Sequence, residues 1–396
     1  MSTLKPAAEA RLILLLGMLV AFGPLAIDLY LPALPALATG LAAAPAQVQL
    51  TITISLAGFA GGMLVYGPLS DRYGRRPVML GGILLFVLAS LACLLAESVR
   101  SLIVARLFQA LGGGAASVLA RAVVRDVFVP TEAIRKLSLM AMITAVAPLL
   151  APLLGSLLLA SLGWRGPFVA LLLWGAGSLV VVWRGLPETL PPEKRGGLPL
   201  GQAFAAYGRL LADPVALGLV LAGGMSFAAM FAYITGSPFY LIAAEGLPPL
   251  AYSLVFASNA LGIFAANYLN SRLVRRFGPA AMAGIGASLA FCAALPLPLA
   301  MAQPGLLPLV LALLFLVVSM TGLLGANCVG LLMARYPQNA GAAAALFGAA
   351  QFGFGMLASA GVSYAHDGSG RPMAGAMLLA STISLAGYRL YRRRAG

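Results

Sequence analysis

The chain has 396 residues, of which 61% are hydrophobic and only 9% are charged. Water-soluble domains contain about 25% charged residues, so a soluble globular fold is excluded and an all-α integral membrane protein is predicted. The net charge is +14, from 25 Lys and Arg residues against 11 Asp and Glu residues. This excess is compatible with binding to nucleic acid, with binding to anionic lipid or with a signal for membrane topology, and the positions of the charges decide between them.

Twelve apolar segments are long enough to cross a bilayer, which takes about 20 residues. The first has 25 residues, contains Asp28 and is followed by eleven more segments, which favours an uncleaved helix over a signal peptide. In chain order the predicted spans are 12–36, 46–69, 77–96, 101–120, 138–161, 166–183, 214–242, 249–271, 279–300, 306–333, 340–364 and 372–390.

The basic residues are distributed unevenly between the two sides of the membrane. With the N-terminus in the cytoplasm, the cytoplasmic segments hold 21 Lys and Arg residues and the opposite side holds only Arg100, Arg165 and Arg371. This asymmetry predicts that both termini are cytoplasmic, in a multi-pass protein of the bacterial inner membrane. It also explains the net charge without a nucleic-acid partner, because the charges are spread over seven short segments.

The longest hydrophilic stretch divides the predicted spans into two sets of six. We therefore expect an N-terminal half at 1–184, a cytoplasmic linker at 185–213 and a C-terminal half at 214–396. An internal echo supports the division, since DRYG at residues 71–74 and RRFG at residues 275–278 follow spans two and eight at an offset of 204 residues. Two six-helix repeats around a central path are typical of secondary transporters.

The loop after span two carries an ordered motif, GPLSDRYGRRP at residues 67–77. Glycines permit a tight backbone reversal, and Asp71 can cap a helix or pair with an arginine, although an ordinary positive-inside loop is the alternative. The run resembles the signature loop of the major facilitator superfamily, where it implies a conformational latch between the two halves. The latch candidates are Gly67, Asp71, Arg72, Gly74, Arg75 and Arg76.

Further runs extend the resemblance over residues 22–168, and they are similar to the Bcr/CflA branch of the drug:proton antiporters. The resemblance implies the major facilitator fold and proton-coupled efflux, by alternating access, of small amphipathic drug-like compounds such as phenicol- or bicyclomycin-type antibiotics. It also implies that no cofactor is needed and that the proton gradient drives transport. The runs are IDLYLPALP at 27–35, RLFQALG at 106–112, RAVVRD at 121–126, APLLAPLLG at 147–155, GWR at 163–165 and, more loosely, YITGSPF at 233–239.

Asp28 is the only carboxylate deep inside a predicted span, where a charge costs several kcal/mol unless it is paired or hydrated. At 1.5 Å per residue, Asp28 and Arg106 both lie about 9 to 12 Å below the periplasmic surface. Pro32 deprives the Asp28 carbonyl of its usual partner and opens a polar kink. We therefore expect Asp28 and Arg106 to form a proton-coupling pair, with a purely structural pair as the alternative.

Two further groups of residues are candidates for the transport path. Neutral polar side chains within the spans are expected to line a substrate cavity: Tyr30, Gln109, Ser117, Tyr233, Ser237, Asn259, Asn327 and Gln351. Taken one at a time, such residues in the second half more often form hydrogen bonds between helices than contacts with a ligand. A second group is expected to kink the helices and to permit their close approach: Pro32, Pro148, Pro152 and Gly155.

No nucleotide-binding run, hydrolase triad or metal-ligand cluster is visible in the sequence, so neither an enzyme nor a metal site is expected. Cys93, Cys292 and Cys328 lie in apolar runs without CxxC spacing and are predicted to fill the core. The expected partners are a small-molecule substrate, protons and membrane lipid, with the chain acting as a monomer. The principal alternative is a proton-coupled transporter of a metabolite such as an amino acid, dipeptide or nucleoside. A channel is disfavoured because it needs polar residues through the full depth of several spans.

Overall fold

The computed structural model describes residues 6–196 and 200–395, and within these ranges the secondary structure is helical, without strands. Short 3-10 turns lie at Leu31–Ala33, Gly163–Arg165, Pro192–Lys194 and Pro337–Asn339, and a wider π-helix lies at Pro238–Ala244. The α-helices are α1 (Pro6–Val20), α2 (Phe22–Asp28), α3 (Leu34–Gly40), α4 (Pro45–Tyr73), α5 (Arg75–Leu94), α6 (Val99–Val127), α7 (Pro130–Leu162), α8 (Gly166–Gly185), α9 (Leu200–Ala212), α10 (Pro214–Ser237), α11 (Pro249–Phe277), α12 (Pro279–Ala294), α13 (Leu297–Ala300), α14 (Leu307–Arg335), α15 (Ala340–Tyr364) and α16 (Arg371–Ala395).

In the described part of the chain, eleven helical stretches are long and apolar enough to cross a membrane. One of them, Arg135–Gly185, contains most of α7 and all of α8, which are separated by the turn at Gly163–Arg165. Counting these two helices separately gives twelve crossings. The prediction of an all-α protein with twelve membrane spans is thus confirmed.

The first span is not the continuous helix that its apolar length suggests. It is divided into α1, α2, a 3-10 turn and α3, with breaks at Ala21 and at residues 29–30. Pro24 and Pro32 explain the breaks, because each lacks the N–H that would bond to the carbonyl four residues earlier. The Ser117 hydroxyl donates to the Val20 carbonyl at 3.3 Å, which supplies a donor in place of the missing Pro24 N–H.

The chain divides into two compact units, 1–41 with 57–200 and 42–56 with 201–396. The division between residues 200 and 201 lies inside the predicted linker, and the first part of α4 groups with the second unit. Part of the linker, unexpectedly, forms α9. This helix packs onto the core of the second unit through Tyr207 and Leu210, and Leu210 is only 4% exposed.

The 204-residue echo of the sequence is also visible in the way the helices pack inside each unit. At Gly58 in α4, a Cβ would lie 2.8 Å from the backbone oxygen of Leu107 in α6. At Gly262 in α11, 204 residues later, a Cβ would lie 2.0 Å from the Ser319 hydroxyl in α14. The same small residue thus permits the same close helix crossing in both repeats.

The cysteine prediction is correct for two residues and wrong for one. Cys93 and Cys328 are buried, whereas Cys292 is exposed on α12. A membrane protein turns apolar side chains toward lipid as well as toward its core, so an apolar run does not by itself place a residue inside.

Candidate functional site

Asp28 is the last residue of α2 and lies at the break in the first span. It is 5% exposed, and among the described residues none forms a hydrogen bond or an ion pair with its carboxyl group. An unpaired carboxylate at this depth is costly. The buried, unpaired carboxyl group makes Asp28 the most unusual acid of the described spans.

Arg106 on α6 is 1% exposed, and it is held by a neighbour on its own helix, which is anchored to α5, and by the break in the first span. Its Nη1 donates to Gln109 Oε1 at 2.5 Å, and the Gln109 amide donates to Ser90 Oγ in α5 at 2.8 Å. The guanidinium also lies over the ring of Tyr30, 4.3 Å from its centroid. Its Nε and Nη2 have no hydrogen-bond partner within the described residues.

The structure does not form the expected direct pair between Asp28 and Arg106, since no ion pair within the described residues joins them. Depth along the helix axis was the basis of that expectation, and depth says nothing about the direction in which each side chain points. The Arg106 guanidinium contacts Gln109 and Tyr30 instead. Arg106 nevertheless contacts the broken segment two residues after Asp28, because Tyr30 belongs to that segment.

Gly155 brings α7 against this break. A Cβ at Gly155 would lie only 1.9 Å from the Leu29 carbonyl oxygen and 3.5 Å from Pro32 Cδ. The helix α7 remains continuous through Pro148 and Pro152, which both lie inside it. A residue without a side chain is thus needed where α7 meets the turn that carries Asp28.

The second unit brings together three of the predicted polar residues along α10 and α11. The Tyr233 ring stacks on Phe256 with centroids 5.9 Å apart, and the Ser237 hydroxyl lies 3.3 Å from the hydroxyl of Tyr252. Asn259 follows Phe256 by three residues on α11, is 3% exposed and has an Nδ2 without a partner among the described residues. The unpartnered amide makes Asn259 the strongest candidate of this group for contact with a ligand.

Two other predicted cavity residues lie elsewhere in the second unit. The Asn327 amide donates to Asn270 Oδ1 and to the Leu323 carbonyl, both at 2.8 Å, so its polar atoms serve a bond between α11 and α14. Gln351 in α15 faces α14, where a Cβ at Gly325 would lie 3.5 Å from its Nε2. Asn327 therefore has a structural partner, whereas Gln351 lies at a glycine-lined contact between helices.

The latch candidates form a charged network in the first unit, centred on Arg75. Arg75 contacts Asp71 at 2.5 Å and Asp126, at the end of α6, at 2.8 Å. Its Nη1 also donates to the hydroxyl of Ser70 at 2.6 Å. Asp71 therefore pairs with an arginine of its own loop, and α4, α5 and α6 are joined at one end.

Glu188, in the linker after α8, caps the N-terminus of α5 and was not identified from the sequence. The backbone N–H groups of Arg75 and Arg76 donate to its two oxygens at 3.0 and 3.2 Å, and those of Thr189 and Leu190 donate at 2.9 and 3.0 Å. Burial raises the pKa of the Glu188 carboxyl, but the four backbone donors outweigh burial and hold the pKa below its ordinary value of 4.5. The only local signal was an acid after a proline, Pro187, in the linker.

The remaining latch candidates lie near the same charged network of the first unit. Gly74 adopts φ of 96°, and a Cβ there would lie 2.5 Å from a carboxylate oxygen of Glu188. Arg76 donates to the Trp183 carbonyl at 2.7 Å. Arg72 lies over the ring of the next residue at 5.4 Å, and a Cβ at Gly67 would meet no atom within 4 Å. Gly74 and Arg76 thus take part in the network, whereas Arg72 and Gly67 lie outside it.

The second unit has a different arrangement at the corresponding turn. Gly278 repeats the positive φ of Gly74, at 79°, but α12 then begins with Pro279, which has no N–H to cap. Among the described residues of this unit, Asp213 pairs with an arginine. It accepts from Arg335 at 2.9 Å and from the hydroxyl of Tyr336. The two halves are therefore asymmetric here.

A chain of hydroxyl groups, also not identified from the sequence, joins the first part of α4 to the rest of the second unit. Thr53 Oγ1 lies 2.7 Å from Ser359 Oγ, which in turn accepts from Thr235 at 2.8 Å. Nearby, the Gln49 amide lies 3.5 Å from the ring nitrogen Nδ1 of His366. Single hydroxyls in apolar helices carry no pairing signal in the sequence.

These features, above all a broken span with a buried acid, are typical of a multi-span secondary transporter. Comparison with known proteins supports the same class. A model of the Major Facilitator Superfamily matches residues 14–360. An uncharacterized MFS-type transporter of Bacillus subtilis, YdgK, is 35% identical over 99% of this chain and 98% of its own length. A bicyclomycin resistance protein homolog of Haemophilus influenzae is 30% identical over 95% of this chain and 94% of its own.

The fold is shared with solved structures. The crystal structure of a D-xylose-proton symporter is 18% identical and superposes with a TM-score of 0.73 over 95% of this chain and 96% of that one. The chain therefore belongs to the major facilitator superfamily and is a transporter, not an enzyme. The resemblance to the Bcr/CflA branch is confirmed by the bicyclomycin resistance protein homolog.

Proposed function

We propose that the chain exports small amphipathic drug-like compounds, such as phenicol- or bicyclomycin-type antibiotics, in exchange for protons by alternating access. The observation that carries the proposal is Asp28, an acid buried in a membrane span without a bonding partner within the described residues. The name of the Haemophilus relative supports the class of substrate. Transport of an amino acid, dipeptide or nucleoside is less well supported, since neither relative is named for such a substrate.

In the proposed cycle Asp28 takes up a proton from the periplasm and releases it to the cytoplasm, and the substrate leaves in the opposite direction. Arg106 biases this exchange through Tyr30, which lies under its guanidinium and two residues from Asp28. The free Nη2 and Nε of Arg106 provide donors for the carboxylate or for the substrate in another conformation. No cofactor is required, and the proton gradient supplies the energy.

We further propose that the protein is a monomer of the bacterial inner membrane with both termini in the cytoplasm. The halves at 1–184 and 214–396 are then connected on the cytoplasmic side by 185–213. Reporter fusions after Arg195 and after Arg394 should read cytoplasmic, and a fusion after Glu245 should read periplasmic. A periplasmic signal at either of the first two sites would overturn this orientation.

Drug-susceptibility profiling of cells that express the chain tests the function. Wild-type protein should lower susceptibility to some amphipathic antibiotics, and Asp28→Asn should abolish the protection at equal expression. Asp367→Asn is the matched control, because Asp367 is an exposed acid that bonds only to nearby Ser369 among the described residues. Protection that survives Asp28→Asn, or its loss in the control as well, would contradict the proposed role of Asp28.

A further inference from the structure

A groove of about 360 Å³ lies between α12 and α16, within the second unit. Its walls are Phe291 of α12 and one face of α16 that carries Thr382, Leu385, Ala386, Arg389 and Arg393. Leu390 lines the groove as well, and counted from Thr382 the six α16 residues fall at i, i+3, i+4, i+7, i+8 and i+11, so they form a single stripe along the helix. The groove therefore has a cationic end, with two arginines, and an apolar end closer to the middle of the helix.

The two arginines have no carboxylate partner in the described part of the chain. Residues 201–396 contain only three acids, Asp213, Glu245 and Asp367. Asp213 already accepts from Arg335 and Tyr336. The positive charge of the groove is thus not neutralised by the nearest acid of its own unit.

The other two acids lie at the opposite end of the helices. Asp367 precedes α16, whose first residue Arg371 is 18 residues before Arg389, or about 27 Å along the helix. A Cβ at Gly218, near the start of α10, would lie 2.7 Å from the backbone nitrogen of Tyr391, so α10 runs antiparallel to α16. Glu245, beyond the far end of α10, is therefore remote from the arginines as well.

The groove opens onto a surface that is suited to lipid. Leu289, two residues before Phe291 on α12, is 41% exposed, and Leu379, three residues before Thr382 on α16, is 62% exposed. From Arg389 to Thr382 the stripe descends seven residues, or about 10 Å, toward the middle of the membrane. A ligand with a charged head and an apolar tail matches this profile, whereas a free anion would leave the apolar end empty.

We propose that the α12–α16 groove binds an anionic phospholipid of the adjacent leaflet. The phosphate is held by Arg389 and Arg393, since guanidinium groups pair with phosphate oxygens in a bidentate manner. One acyl chain follows Phe291 and Leu385 into the hydrocarbon region. In the proposed orientation this is the cytoplasmic leaflet, where anionic lipids attract basic groups at the ends of spans. The lipid site does not depend on the substrate or on proton coupling.

The test is native mass spectrometry and thermal unfolding of the full chain in a neutral detergent, with phosphatidylglycerol added. Wild-type protein should retain the lipid and show a raised apparent melting temperature. The double variant Arg389→Ala/Arg393→Ala should bind at least tenfold more weakly. The double variant Arg392→Ala/Arg394→Ala is the matched control, because it loses the same charge outside the groove and should bind like wild type.

Two further comparisons decide the chemistry. Ala386→Trp, which fills the groove at an exposed position and keeps both arginines, should also lose the lipid, and it keeps the test valid if the arginine variant does not fold. Phosphatidylcholine and inorganic phosphate should give no comparable stabilisation. Equal weakening by both double variants, undiminished binding by Ala386→Trp, or full stabilisation by inorganic phosphate or phosphatidylcholine would each overturn the proposal.

Discussion

The contact between Gly155 and the Leu29 carbonyl predicts that a single methyl group disturbs the turn that carries Asp28. In Gly155→Ala the new Cβ would lie 1.9 Å from the Leu29 oxygen, whereas real contacts of this kind stay above 3.0 Å. The two segments would therefore have to separate by more than 1 Å. Because the atom that is approached belongs to the backbone, no side-chain rotation can relieve the clash.

The change in folding stability of Gly155→Ala follows from two opposing contributions. Replacing Gly by Ala inside a helix stabilises it by about 1 kcal/mol, and inserting an atom into a filled space costs about 1–3 kcal/mol. Gly177→Ala in α8 is the matched control, since a Cβ there meets no atom within 4 Å. The helix contribution is common to both variants, so their difference isolates the packing cost of about 1–3 kcal/mol.

Thermal unfolding in detergent and proton-driven transport should be measured on both variants. We expect the apparent melting temperature of Gly177→Ala to equal or exceed that of wild type and that of Gly155→Ala to fall below it. Transport should decline only in Gly155→Ala. If the two variants are equally stable and equally active, the close approach of α7 to the break does not matter and the reasoning is refuted.

The other predictions concern the charged network and Arg106. Glu188→Gln keeps one acceptor oxygen but replaces the charged second oxygen by an NH2 donor, so it should lower stability by about 1 kcal/mol through a weakened helix cap. The folded protein lowers the pKa of Glu188, so the ionised carboxylate stabilises the fold fully above pH 4.5, and this stabilisation is lost as the pH falls through the lowered pKa. The stability of Glu188→Gln should therefore fall less steeply than that of wild type as the pH is lowered. An equally steep fall in both proteins would contradict this. Asp71→Asn should slow turnover while substrate binding, measured by isothermal titration, stays within about threefold; parallel loss of both would indicate a direct binding role. Arg106→Lys should fail in transport, because Lys reproduces neither the planar stacking on Tyr30 nor the fork of donors, and normal transport by this variant would argue against that role.

Much of the fold was predictable because the features that indicate it depend only on the order of residues along the chain. Span lengths, the asymmetry of basic residues and the 204-residue echo all follow from position along the chain. Pro32 likewise marks the irregular end of the first span, since a missing N–H acts on its own helix. The linker helix α9 was missed because its stability comes from packing on the second unit through Tyr207 and Leu210, which no local pattern reveals.

The sequence indicated the irregular turn beside Asp28 through Pro32, but it could not predict the partners of Arg106. Depth placed Asp28 and Arg106 at the same level, but the rotation of each helix about its axis is set by packing, and packing directs Arg106 to Gln109 and Tyr30. Glu188 was missed for a similar reason. It reaches α5 across 113 residues of sequence, and only the folded chain shows that the two amides at the start of that helix need an acceptor.

The central claim is that Asp28 carries the transported proton. Its most direct test is uptake of substrate into proteoliposomes with an imposed pH gradient, compared for wild type, Asp28→Glu and Asp28→Asn. The account predicts gradient-driven accumulation by wild type, partial accumulation by Asp28→Glu and none by Asp28→Asn, which should still bind or exchange substrate in part. If Asp28→Asn accumulates substrate when the pH gradient is imposed, the proton is carried elsewhere and the account is contradicted.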